Sequence, residues 1–223
     1  MLVLRGRLGL VTFDVHGAVL QAVVLTPGAA TGIGARDGEH FVVAESDEEL
    51  ANAAIALLSN GSYAVMITSA GAGYSTWRGL DVTRWREDAT RDCWGVFVYV
   101  RDMATGEFWS TAYQPTLRAI KGYEAIFTQS RAEFRQHHAK FEVHTEISVS
   151  PEDDVELRRI TITNRSAVAR NIELTSYAEV VLAMPAADEA HPAFSNLFVQ
   201  TEFVQKSSAL LCTRRARSHG EKP

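Results

Sequence analysis

The chain has 223 residues, 46% of them hydrophobic and 22% charged, enough for one large domain or two small ones with a substantial core. A net charge of -5 excludes the basic face that phosphate neutralisation requires, so no nucleic-acid partner is expected. The two cysteines, Cys93 and Cys212, are far apart and lie in no C-x-x-C or Cys/His spacing; neither a zinc site nor a disulfide framework is indicated, and a reducing compartment is the default.

Near the N-terminus, Arg5 and Arg7 precede the apolar stretch "LGLVTFDVHGAVLQAVVL". Asp14 and His16 interrupt it, whereas a spanning helix needs about 20 mostly apolar residues, so no transmembrane segment is expected. The alternation Val11, Phe13, Val15 and then Val19, Gln21, Val23 predicts two short strands turning at "HGA". "TPGAATGIGARDGEH" reads as a loop. In "SDEELANAAIALLSNG", Ser46 and Glu49 form a capping box, and Leu50, Ala54, Leu57 and Leu58 recur at helical spacing before Asn60-Gly61. One short helix near 47–58 is predicted.

From residue 62 the period changes to two. "SYAVMITSAG" alternates Tyr63, Val65, Ile67; "CWGVFVYVRD" is apolar on both faces, and after the turn "DMATGE" the segment "EFWSTAYQP" returns. A strand apolar on both sides belongs between two layers. "KFEVHTEISVS" puts Phe141, Val143, Thr145, Ile147 and Val149 on a buried face, and Glu142, His144 and Glu146 on a wet one. In "VELRRITITN" the inward parity shifts between Val155, Leu157 and Ile160, Ile162, which predicts a bulge near Arg158-Arg159. "RNIELTSYAEVVLA" places Ile172, Leu174, Ser176, Ala178, Val180 and Leu182 on one face. The succession of strands and polar turns predicts a mainly β chain folded as an antiparallel β-sandwich. The connection "MPAADEAHPAFSN" exceeds what a hairpin needs, and long connections tend to carry function.

No catalytic set emerges from the residues. Glu87-Asp88 and Asp153-Asp154 are adjacent in sequence, whereas glycosidic chemistry wants carboxylates about 5 to 10 Å apart across a cleft. "PEDD" reads as a solvated turn, and Glu87 and Asp88 as partners of Arg84, Arg86 or Arg91. His137, His138 and His144 lack a third metal ligand with matched geometry, and Ser75 and Ser195 lack a nucleophile elbow. "GYSTWRGLDVTRWRED" bears two readings. Tyr74, Trp77 and Trp85 can plug the end of a sandwich with arginines laid over them. Alternatively, they offer ring faces to the apolar faces of sugars while Arg, Asp and Glu bind the hydroxyls.

The strings "LLSNGSYAVMITSAGAGYSTWRGLDVTRWREDATRDCWGVFVYVRDMATGEFWSTAYQPT", "VSPEDDVELRRITITNRS", "LTSYAEVVLAMPAADEAHPAFSNLFVQTEF" and "LLCTRRARS" resemble the N-terminal β-sandwich of the family 94 glycoside phosphorylases, also called glycosyltransferase family 36. The phosphorylase-like region of cyclic β-1,2-glucan synthases is the nearest match by these motifs. The resemblance runs from about Leu57 to Ser218, dividing the chain into 1–56, of unknown relation, and a 57–223 sandwich. It implies a galactose-mutarotase-like supersandwich, incomplete at its C-terminal end, that packs on a catalytic (α/α)6 barrel. The parent would carry out inverting phosphorolysis or transfer on β-glucans, with inorganic phosphate as co-substrate and no other cofactor. The isolated chain would be inactive, with no catalytic residue of its own. The implied partners are a β-glucan or oligosaccharide, the barrel, and further copies in a homo-oligomer. The implied location is the cytoplasmic side, in a parent that can be part of an inner-membrane protein. The substrate-proximal candidates are Tyr74, Trp77, Arg84, Arg86, Glu87, Asp88, His191, Phe194, Ser195 and Asn196; cellobiose-phosphorylase members carry an arginine near Ser195. An independent carbohydrate-binding module using the aromatic and arginine loop is the alternative.

Overall fold

The computed structural model describes residues 55–86, 92–118 and 120–216, apart from the Lys121 side chain, and the backbone of four strands before them. Those four are β1 (Leu2–Val3), β2 (Leu8–Val15), β3 (Ala18–Leu25) and β4 (Val42–Val43). β2 and β3 form the expected antiparallel hairpin, closing with Val15 opposite Ala18. The predicted 26–40 loop lies outside the described residues.

Two sheets make the main sandwich. One is built from β5 (Ile55–Ser59), β6 (Tyr63–Thr68), β7 (Gly73–Trp77), β8 (Leu80–Thr83) and β16 (Val180–Ala183), in the order β16-β8-β7-β6-β5. The other runs β1-β11-β12-β13-β14, with β11 (Lys121–Phe127), β12 (Ala132–His138), β13 (Phe141–Val149) and β14 (Glu156–Asn164). A third sheet, β10-β9-β15, comprises β9 (Phe97–Asp102), β10 (Phe108–Ser110) and β15 (Ile172–Tyr177). α1 (Pro185–Ala190) and α2 (Pro192–Asn196) follow β16, then the hairpin β17 (Val199–Val204) and β18 (Ala209–Arg214). No helix among the described residues is long and apolar enough to cross a membrane.

Alternation decides which side chains meet. Ala56, Leu58, Val65 and Ile67 of the first sheet pack on Phe127, Ala132, Phe134 and Ile147 of the second. Val100 and Trp109 of the third sheet pack on Phe141, and β9 is the middle strand of that sheet. β13 follows the predicted alternation, its odd residues buried as far as Ile147. Its even residues lie in a lattice of ion pairs: Arg131 and Arg135 reach Glu133 at 2.7 and 3.1 Å, and Arg159 and Arg165 reach Glu146 and Glu142.

Three expectations are corrected. The helix near 47–58 is strand from Ile55 to Ser59, paired antiparallel with β6; residues 47–54 lie outside the described residues. An apolar run ending in Leu57-Leu58 fits both periods, and pairing with β6 selects the extended one, with Ala56 and Leu58 turned to the core. Asn60-Gly61 is then a hairpin turn, where Asn60 Oδ1 accepts from the Ser62 and Tyr63 amides. Second, β14 pairs with β13 in continuous register from Val149↔Glu156 to Phe141↔Asn164, without a bulge. Glu156 and Arg158 can share the inward face with Ile160 because they find partners there, Glu156 accepting from the Tyr63 hydroxyl and Arg158 donating to the Val96 carbonyl. Leu157 is left 57% exposed. Third, the 172–182 segment presents no single apolar face. The chain passes from the β9 sheet to the β8 sheet between β15 and β16, and Val181 and Ala183 are the buried residues while Ile172 and Leu174 are exposed.

Candidate functional site

β7 starts at the glycine-rich turn for a steric reason. Gly73 has φ +152°, and a Cβ there would stand 1.9 Å from the Met66 carbonyl oxygen. Glycine lets β7 pass tightly beside β6 and sets Tyr74 opposite Met66, on the face turned away from Val65 and Ile67. Asp81, opposite Thr76, shares that outer face. Trp85 follows β8 and meets Tyr74 with ring centroids 5.6 Å apart and planes at 45°.

Beside this aromatic pair lies a buried ionic clamp. Arg84, 5% exposed, holds Asp188, 0% exposed, with both arms of its fork: Nε donates to Oδ2 at 2.9 Å and Nη2 to Oδ1 at 2.7 Å. Arg84 also donates to Glu179 at 2.7 Å and to the Asn196 side-chain oxygen at 2.6 Å. Arg86 donates to the same Asp188 carboxylate and to the Trp85 carbonyl. Arg214 of β18 donates to the Ser195 hydroxyl and carbonyl. These bonds fasten both short helices and the last hairpin to the edge of the β8 sheet. Burial pushes the Asp188 carboxyl up, but hydrogen bonds from Arg84, Arg86 and Ser195 outweigh it and bring the pKa to about 2. The same carboxylate acts on its neighbours. Burial first and the Asp188 charge second raise Asp81, against the pull of Arg86; burial and then the Asp81 charge raise the Tyr74 phenol.

Trp77 belongs elsewhere, at the other end of β7. Its indole N–H donates to Asp154, which also accepts from Ser62 and Asn60, and the Arg78 guanidinium lies 4.8 Å from the ring centroid. "PEDD" is the turn expected, but its last acid is a structural tie.

Of the sequence-derived candidates, the structure gathers Tyr74, Arg84, Arg86, Ser195 and Asn196 and separates Trp77 from them. His191 and Phe194 are exposed at the junction of the helices, Phe194 edge-on to Phe198 at 5.1 Å. Glu87 and Asp88 lie outside the described residues; the acid partners of Arg84 and Arg86 among those described are Asp188 and Glu179. Asp188, Glu179, Asp81 and Arg214 were missed. Asp188 sits 104 residues from Arg84, and no local pattern announces such a pair. On the opposite sheet, Glu133, His144 and Glu146 bring one ligand atom each within 4.8 Å of one another. That triad has metal-like chemistry, but arginines already occupy the carboxylates and His144 is bonded to Glu133 at 3.0 Å.

A profile for the glycosyl hydrolase 94 supersandwich domain matches residues 38–223. The chain belongs to that family. The match begins upstream of Leu57. Among curated relatives, the domain is 41% identical over 167 residues to cyclic beta-(1,2)-glucan synthase NdvB of Rhizobium meliloti (strain 1021), covering 74% of this chain and 6% of that protein. It is 26% identical over 151 residues to N,N'-diacetylchitobiose phosphorylase of Vibrio furnissii, covering 66% of this chain and 19% of the relative. With solabiose phosphorylase of Paenibacillus borealis it shares 24% identity over 123 residues, 54% of this chain and 15% of the relative. The supersandwich therefore spans less than a fifth of each of these proteins.

Proposed function

We propose that the chain is the non-catalytic, carbohydrate-associated sandwich of a β-glucan phosphorylase or cyclic β-1,2-glucan synthase. It packs on a catalytic barrel and shapes the sugar site or the dimer. The parent reaction is inverting phosphorolysis or transfer on β-glucans, with inorganic phosphate as co-substrate, on the cytoplasmic side. One observation carries this reading: Leu174, Phe194, Leu197, Phe203 and Leu210 stand exposed on β15, the helices and the last hairpin. Isolated surface apolar residues are ordinary, but Phe203 and Leu210 are cross-strand neighbours in one exposed hairpin, the kind of apolar surface an interface covers, and a standard interface buries roughly 800 Å² per partner. Similarity to a glucan synthase and two disaccharide phosphorylases supports the sugar-enzyme context.

The test is association in trans with the barrel region of the glucan synthase relative. A complex is expected, weakened at least tenfold by Phe203→Asp with Leu210→Asp, and the chain alone should release no glucose 1-phosphate. Release by the chain alone, or absence of a complex, would end this reading. A second reading, an independent carbohydrate-binding module, is favoured by the exposed, rigidly tied Trp77 indole. It predicts that Trp77→Ala abolishes the calorimetric heat of β-1,2-gluco-oligosaccharide binding to the isolated chain.

A further inference from the structure

We infer that Tyr74, Asp81 and Trp85 form a saccharide subsite on the outer face of the β8 sheet, supported from below by Arg86 and Asp188, with Trp77 outside it. The inference rests on the sugar-enzyme reading above, adds Asp81, and separates Trp85 from Trp77.

Three observations converge. The Tyr74 and Trp85 rings are half-buried and tilted against each other at 5.6 Å, a surface suited to the apolar face of a pyranose and already fixed before ligand arrives. Asp81 lies on the same face, half-buried, with no hydrogen bond to its carboxylate among the described residues. It is a poor structural residue, because burial and the Asp188 charge both oppose its ionisation. Among the described residues, the acids of the clamp already have donors: Asp188 accepts from Arg84 and Arg86, and Glu179 from Arg84 and Tyr177. Arg86 keeps the Asp81 charge tolerable while spending its own donors on Asp188 and the Trp85 carbonyl. A half-buried carboxylate with no donor among the described residues, beside an aromatic pair, is matched by a sugar, whose hydroxyls donate to its oxygens and whose ring C–H groups lie against the indole. The Trp77 indole, by contrast, has its N–H committed to Asp154 and a guanidinium over its ring.

The subsite is tested by titrating the full chain with linear β-1,2-linked glucotriose while following the indole N–H resonances of its four tryptophans. The Trp85 resonance should move in fast exchange and the Trp77 resonance should not. Asp81→Asn should weaken binding about tenfold, as loss of a charged hydrogen-bond acceptor does. The same variant should be at least as stable as the parent at neutral pH. The raised carboxyl binds its proton more tightly in the folded state, so ionisation costs stability as pH rises past its ordinary range. A structural acid would show the reverse. A stationary Trp85 signal, movement confined to Trp77, unchanged affinity in Asp81→Asn, or a destabilised Asp81→Asn would each overturn the subsite. Association with the barrel is measured separately, so a chain that docks but leaves Trp85 unmoved sinks the subsite and spares the accessory reading.

Discussion

Asp188 decides the stability of the candidate site because two guanidinium groups and a serine converge on its fully buried carboxylate. Removing one partner of such a pair strands the other charge in a dry setting. Asp188→Ala should therefore cost about 3–5 kcal/mol, read from the denaturant midpoint. The pH dependence follows from the lowered carboxyl. Its contribution is present above the ordinary value of 3.8 and is lost as pH falls through about 2, so Asp188→Asn should flatten acid unfolding in that window. Tyr63 gives the opposite limb. Burial, reinforced by Glu156, lifts the phenol to about 12; its contribution is present below pH 10 and lost as pH climbs through about 12. Tyr63→Phe should remove that part of the alkaline transition in a circular-dichroism titration.

At the level of elements, the tight passage of β7 past β6 depends on one missing methyl group. Gly73→Ala would combine about 1–3 kcal/mol of backbone strain with a clash against the Met66 carbonyl. It should lower the melting temperature and disturb the Tyr74–Trp85 contact, visible as a change in near-ultraviolet circular dichroism. The contrast between β13 and β14 shows what local pattern can convey. β13 was legible because every inward position is small, apolar or Thr and every outward one is polar or charged. β14 was not, because Glu156 and Arg158 point inward and are satisfied by Tyr63 and Val96 from distant segments. Likewise β5 shares its apolar spacing with a helix, and only its neighbour decides. In the site, Tyr74 and Arg84 stand out in an aromatic and basic string, whereas Asp188 and Asp81 acquire meaning only when β8, α1 and α2 come together.

Across the whole molecule, polar and apolar surfaces are unevenly shared. β15 is exposed along its entire length and, among the described residues, has β9 as its sole ladder partner, an open edge of the kind that recruits another strand. Gel filtration of the chain without a partner should show self-association, reduced by Leu174→Lys; a strictly monomeric profile would argue against an exposed docking edge. The β13 sheet instead carries on its outer face the lattice centred on Glu133, Glu142 and Glu146.

The ion-pair lattice and the exposed Phe203–Leu210 pair of the last hairpin give the domain one charged surface and one apolar one. On a hydrophobic chromatography resin it should adsorb in a single orientation, the Phe203–Leu210 hairpin against the matrix and the arginine-rich sheet toward the buffer. Biotin attached through a cysteine introduced at Thr161, outside the adsorbed side, should stay accessible to streptavidin while the same label at Leu210 is hidden.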